Sequence, residues 1–465
     1  MRSWCSWLTH LPVTEKIVGS SPIDRAANTK ALQGAFVLKF LYDMFKSFFK
    51  TLGPGVVTGA ADDDPSGIAT YSQTGAQFGY GQLWTAVFML PLMIAVQEAS
   101  ARIGAVTGKG LAAVVRDNYS KWILYPMVLL LIVANTINLG ADIGAMAAAA
   151  QLVVPVNFVV YTLFFVVLIL VLEIFTSYKT YSRILKWLAL ALLAYPITVF
   201  LVHMPLRTVL AATFVPHIQF TFAFLFIITG VLGTTLTPYM FFWEASQEVE
   251  EEKEHGLIDA NGKPKIRRGY LRGIGIDTTV GMIASEIATW CIIVVCAATL
   301  HASGVTNIAT AADAARALEP LVQTFPHAGY LAKLIFSIGV IGLGLLAVPI
   351  LSASASYAVS ETLRWNSSLN LKIKKAHGFY GVITIATLIG LLINFVGIDP
   401  IKALVIAAVI NGVVAVPLIF IVAKVAASKK IMGVHRSGWL SNTVIWITFI
   451  AMAGAAIAMF ATLWA

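Results

Sequence analysis

The sequence predicts an all-α polytopic membrane protein. It has eleven transmembrane helices, drawn as two inverted five-helix repeats whose first helices, spans one and six, are broken. Three observations carry this. Of 465 residues, 58% are hydrophobic and only 12% are charged, a balance that soluble folds of this length do not tolerate. Lysine and arginine gather in alternate loops, as they do on the cytoplasmic side of membrane proteins. Two apolar runs are interrupted by proline at matching places in the two halves, the strongest sequence pointer to a transporter's central site.

Residues 1–45 read as a polar cytoplasmic tail. The piece FVLKFLYDMFKSFFK is either an interfacial helix, with Phe and Leu facing lipid between lysines, or a plain run-in to the first span. No charged-then-apolar cleavable leader precedes it, so the first span itself is expected to insert the chain. The spans fall near 51–74, 83–104, 122–150, 157–176, 182–203, 218–246, 272–300, 328–360, 376–397, 401–425 and 442–464. The third, sixth, seventh and eighth exceed the roughly 20 residues a perpendicular helix needs, so they tilt, bend or extend past the bilayer.

Loop two-three carries Arg102, Lys109, Arg116 and Lys121, and loop six-seven carries six basic residues between Lys253 and Arg272. The intervening loops are almost bare, with Arg207 in loop five-six and Arg316 in loop seven-eight. This places the N-terminus inside and, after eleven spans, the C-terminus outside a cell membrane. Five spans is an odd number, so 46–203 and a similar unit at 204–425 insert upside down relative to one another. Residues 426–465 add a cytoplasmic loop and an eleventh helix.

The first break lies in GPGVVTGAADDDPSGIATYSQ, Gly53 to Gln73. Pro65 lacks a backbone N–H and clashes with the preceding turn, and Gly67 adds backbone freedom. Acids at membrane depth are costly and mark ion paths. Freed carbonyls beside carboxylates make an oxygen-rich cation site. Neighbouring helical residues point about 100° apart, so Asp62, Asp63 and Asp64 cannot all face one ion. Asp64, directly before the break, is the expected ligand. Asp62 and Asp63 either line a water-filled vestibule or act as solvated capping groups.

The second break lies at Thr237-Pro238, behind Gly230 and Gly233. Thr234 and Thr237, three apart, are expected to share a face and offer oxygen ligands; the alternative is hydroxyl-to-carbonyl bonding within the helix. In span three, Asn135, Asn138 and Asp142 form one stripe, which either lines an aqueous path or ties neighbouring helices together. Asn411 in span ten either meets the cavity or is structural. The run EVEEEKEHG after span six either gathers cations at the inner mouth or is a solvated linker.

The absence of GxxxxGK[ST] argues against ATP-driven pumping, and no hydrolase signature or HxxxH pair stands in the spans. The expected protein is not an enzyme, needs no cofactor and binds no nucleic acid. Its partners are the bilayer and a divalent ion.

GPGVVTGAADDDPSG, GAQFGYGQLW, ARIGAVTGKGLA, ASASYAVSETLRW and KKIMG together resemble the Nramp divalent-metal transporters over about residues 53–433. That resemblance implies a LeuT-type fold with the ion at the midplane. It aligns Asp64 with the family's aspartate and puts Gly67 where the family has asparagine. It sets Thr234 at a carbonyl ligand, Thr237 at a methionine ligand and Tyr239 at a histidine. Asn138 and Ala141 replace two acids of the proton route, although Asp142 follows directly. These departures resemble the Nramp-related magnesium transporter branch. Methionine sulfur suits softer transition metals, whereas Mg²⁺ prefers oxygen and keeps several waters. The resemblance therefore implies Mg²⁺ uptake, partly hydrated, by alternating access without tight proton coupling. The shell would come from Asp64, carbonyls near Ala61 and Thr234, and the Thr237 hydroxyl. An inside-negative potential favours a divalent ion by about 4.6 kcal/mol per 100 mV, twice the single-charge figure. The rival expectations are a proton-coupled Mn²⁺ or Fe²⁺ importer, a sodium-coupled amino-acid symporter and a metal sensor without flux.

Overall fold

The computed structural model describes residues 58, 59, 61–176, 192–258, 264–266 and 268–463. The tail at 1–45, the beginning of the first span and residues 177–191 of the expected fifth span lie outside the described residues.

Where described, the chain is helical apart from one isolated bridge between Ile258 and Pro264. After helical residues 58, 59, 61 and 62 come α1 (Pro65–Phe78), α2 (Trp84–Thr107), α3 (Leu111–Asn118), α4 (Lys121–Val153) and α5 (Phe158–Phe175). Then follow α6 (Ala194–Leu201), α7 (Leu206–Phe214), α8 (Phe222–Thr235), α9 (Pro238–Glu254) and α10 (Arg268–Thr299). Two short helices, α11 (Ala311–Ala315) and α12 (Glu319–Val322), precede α13 (Ala328–Leu363), α14 (His377–Ile393), α15 (Pro400–Ala427), α16 (Lys429–Met432) and α17 (Trp439–Ala461).

Among the described residues eight helices are long and apolar enough to cross a membrane, with 222–254 counted once across its break. His377–Ile393 is a shorter apolar helix. Expected spans two, three, four and seven to eleven each coincide with helices within a few residues, whereas the sixth runs eight residues past its expected end, to Glu254. The over-long runs resolve in two ways: α4, α10 and α13 run on for 33, 32 and 36 residues, whereas the sixth splits into α8 and α9.

Both breaks are helix starts. Pro65 opens α1 and Pro238 opens α9, in the first turn where a missing N–H leaves no intrahelical bond unmade. The prolines inside α2, α4, α13 and α15 (Pro91, Pro126, Pro349 and Pro417) leave those helices continuous, because bundle neighbours can re-satisfy the freed backbone groups.

Burial orders the helices. The apolar core of the α8–α9 run is 94% buried inside the protein, against 28% for α5 and for α17, whose remaining faces suit lipid. The broken sixth helix is thus central. It packs along α15 through α8 and along α2 and α13 through α9, while α10 packs on α1 and α2, and α4 on α13. Small residues allow this: a Cβ at Gly233 of α8 would fall 2.0 Å from the Ala408 carbonyl oxygen of α15. Close backbone approach of this kind is how helices associate where lipid removes the hydrophobic drive.

Candidate functional site

The two breaks meet. Asp64 is the N-cap of α1, in extended conformation (φ −60°, ψ 172°). Its Oδ1 accepts the Ser66 hydroxyl at 2.5 Å and the Gly67 N–H at 2.8 Å. This is the ordinary use of an aspartate before a helix, satisfying an orphan amide. Its Oδ2 faces away and accepts the Asn138 amide of α4 at 3.0 Å. Ser66 Oγ lies 3.3 Å from Thr234 Oγ1, in the last turn of α8. Gly67 sits in the gap: a Cβ there would come within 3.3 Å of the Thr234 hydroxyl and 3.1 Å of the Asp62 carbonyl oxygen.

Asn138 is the hub of the far wall. Besides Asp64, its amide reaches Asp142 Oδ2 at 3.3 Å, and its carbonyl oxygen accepts the Asn411 amide of α15 at 3.3 Å. Asp64, Asn138, Asp142, Thr234, Thr237 and Asn411 are all fully buried. The α4 stripe lies against this group, so of the two readings open for it, helix tying is realised here by hydrogen bonds. Asn135, one turn earlier, donates to the Leu351 carbonyl of α13.

The second break departs from expectation in one respect. Thr234 and Thr237 do not share a helical face, because the helix ends between them at Thr235 and Leu236 (φ −111°, ψ 52°) leaves helical geometry. Thr237 is instead the N-cap of α9, and its hydroxyl donates to the Met240 sulfur at 2.8 Å. Sulfur therefore borders the break, from a residue the alignment of motifs did not single out. The Tyr239 hydroxyl donates to the Ala61 carbonyl at 2.9 Å, so that carbonyl is occupied by the second break.

Of the expected site residues, Asp64, Gly67, Thr234, Asn138, Asp142 and Asn411 come together, with Ala61 and Tyr239 paired beside them. Asp63 and Asp62 turn toward α10, where Ser285 donates to Asp62 Oδ2 at 2.6 Å. Ser66, Ser285 and Met240 were missed. Ser66 was legible, since a serine two residues after an N-cap aspartate closes a local turn; Ser285 and Met240 carry no local signal.

Hydrogen bonds also tie the helices on either side of the group. The Gln73 amide of α1 donates to the Thr306 carbonyl at 3.2 Å, and its carbonyl oxygen accepts the Ile308 N–H at 2.9 Å. On the other side Thr58 donates to Glu244 of α9. Among the described residues, no three His, Cys, Asp or Glu side chains converge as a ligand set. The centre offers the Asp64 carboxylate among hydroxyl and amide groups, with a second carboxylate, Asp142, sharing the Asn138 amide; carboxylates with neutral oxygens suit a hard cation that retains water.

Residues 55–462 match the Nramp family, described as natural resistance-associated macrophage protein-like. The chain is 26% identical over 410 residues to the divalent metal cation transporter MntH of Klebsiella pneumoniae, covering 85% of this chain and 91% of that one. It is 25% identical over 403 residues to MntH of Caldanaerobacter subterraneus, covering 83% and 87%. Its fold is similar to the Eremococcus coleocola manganese transporter (TM-score 0.65, 14% identity, 90% of this chain and 94% of that one). It is also similar to MhsT in complex with L-phenylalanine (TM-score 0.57, 13% identity, 88% and 98%).

Proposed function

We propose, for a chain that belongs to the Nramp family of divalent metal cation transporters, that the carried ion is Mg²⁺, partly hydrated and anchored by Asp64. The family makes it a multi-pass membrane transporter and not an enzyme; the metal is its substrate, and no cofactor is involved. One observation carries the choice of ion: the carboxylate that stands at the meeting of the breaks, Asp64, is surrounded by hydroxyl and amide groups, from Ser66, Thr234 and Asn138. Oxygen donors around one charge suit an ion that binds few carboxylates and keeps its waters.

Asp64 anchors the ion, and Thr234, Thr237 and the carbonyl of Ala61 complete its shell directly or through water. Tyr239 must then release Ala61, which gives the occluded arrangement a defined contact to break. Gly67 leaves room for retained water. The N-terminus is placed in the cytoplasm and the C-terminus outside, with two inverted repeats rocking about the centre. Asn138 cannot release a proton, which supports uptake driven by the membrane potential.

A second reading, a proton-coupled Mn²⁺ importer, is favoured by the Met240 sulfur at Thr237 and by Asp142 beside Asn138. Rotating Met240 away from Thr237 would offer a soft ligand. Proteoliposomes holding a pH dye separate the two. Mg²⁺ entry without acidification, abolished by Asp64→Ala, supports the first reading. Mn²⁺ and Cd²⁺ entry with acidification, and no Mg²⁺ entry, replaces it with the second.

A further inference from the structure

A second acidic group lies beside the centre, between residues 61–63 and α10. Gly59 sets it up: a Cβ there would fall 2.5 Å from the Gly281 carbonyl oxygen, so the two backbones touch. About one helical turn further along α10 stand Ser285 and Glu286, within reach of Asp62 and Asp63. The Ser285 hydroxyl donates to Asp62 Oδ2 at 2.6 Å. Glu286 follows Ser285 directly on α10 and is likewise buried.

These three carboxylates are 1%, 2% and 5% exposed for Asp62, Asp63 and Glu286. Asp62 Oδ1, Asp63 Oδ1 and both oxygens of Glu286 have no hydrogen-bond partner. The ion pairs Arg102–Glu98, Lys109–Asp117, Arg116–Asp117 and Lys253–Glu250 do not involve this group. Burying several carboxylates around one hydroxyl donor is strongly unfavourable unless protons or a cation neutralise them.

We propose that Asp62, Asp63 and Glu286 form a second divalent-cation site, separate from the Asp64 centre, which takes the ion through its water shell. A bare ion would need carboxylate oxygens converging at roughly 2.0–2.6 Å, and no such ligand set is assembled among the described residues. A hydrated ion bridges wider spacing, since each first-shell water donates outward to a carboxylate oxygen. The site lies on the N-terminal side of the first break. It does not depend on which divalent ion is carried.

The test counts bound Mn²⁺ on the purified full-length chain by electron paramagnetic resonance, with thermal melting as the check on folding. The wild type is expected to bind two ions. Asp64→Ala keeps one, Glu286→Gln keeps one, and Glu286→Asp keeps two, with the weaker Kd raised by less than in a charge-removing variant. If the wild type binds one ion and Glu286→Gln leaves that ion's Kd unchanged, protons alone neutralise the group and the proposal is overturned. Should Glu286→Gln fail to fold, Ser285→Ala decides. It is expected to shift the weaker Kd by about tenfold, and an unchanged Kd overturns the site. Two bound ions in a chain that fails to carry Mg²⁺ would leave this site standing and remove only the choice of ion.

Discussion

Asn138 of α4 holds Asp64 at the first break, its amide nitrogen 3.0 Å from Oδ2 across 74 residues of sequence. With Ser66 and Gly67 on Oδ1, both oxygens of the carboxylate are oriented by neutral donors. The charge is thereby aimed without being cancelled, which is what an ion anchor requires.

Removing that charge is the most direct check. Asp64→Ala is expected to lower divalent flux into proteoliposomes to the level of empty vesicles, while melting in detergent shows the chain still folded. Flux at wild-type rates would take Asp64 out of the mechanism.

Asn138→Ala tests the aiming. A hydrogen bond to a charged group contributes about 1.5–3 kcal/mol, so the half-saturating metal concentration should rise by about tenfold or more. The same change leaves Asp142 and Asn411 short of a partner, so the melting temperature should also fall.

Gly233→Ala should weaken the α8–α15 contact, since the new Cβ would sit 2.0 Å from the Ala408 oxygen and 2.2 Å from the Gly412 nitrogen. Overpacking of this kind costs about 1–3 kcal/mol. Gly454→Ala in α17 meets nothing within 4 Å and should be neutral or stabilising, by up to about 1 kcal/mol of helix propensity. Melting of the two variants side by side separates packing from propensity.

Glu361, near the end of α13, caps α3. Its carboxylate accepts the Ala113 N–H at 3.1 Å and the Ser246 hydroxyl of α9 at 3.1 Å, and its carbonyl accepts Arg116. Glu361→Ala removes a cap worth about 1 kcal/mol. Amides at 111–114 should then exchange with deuterium several-fold faster, with the protection of α4 unchanged.

Asp117, at the end of α3, gives a pH signature. Burial pushes its carboxyl up, but the Lys109 bond at 2.7 Å and Arg116 outweigh it and hold the pKa below the usual range. A depressed folded pKa contributes stability above the unfolded value, and that contribution is lost as pH falls through the folded value. The melting difference between wild type and Asp117→Asn should therefore be present at neutral pH and vanish in acid. It should also be small, because both side chains are partly exposed.

What the sequence determined by itself was local. Membrane class follows from apolar run length, and the breaks follow from Pro65 and Pro238, whose rings act on their own helix wherever it lies. That Asp64 caps the helix Pro65 opens, a role the sequence had offered to Asp62 and Asp63 instead, appeared only in the structure. The three-residue spacing of Thr234 and Thr237 misled because it presumes a continuous helix, and the same proline that was legible ends that helix between them. Tertiary structure alone decided where three adjacent aspartates point. Asp64 turns to Asn138, and Asp62 turns to Ser285 across 223 residues. A side chain's direction within one turn is set by which helices pack around it, and those contacts form only once the bundle has closed.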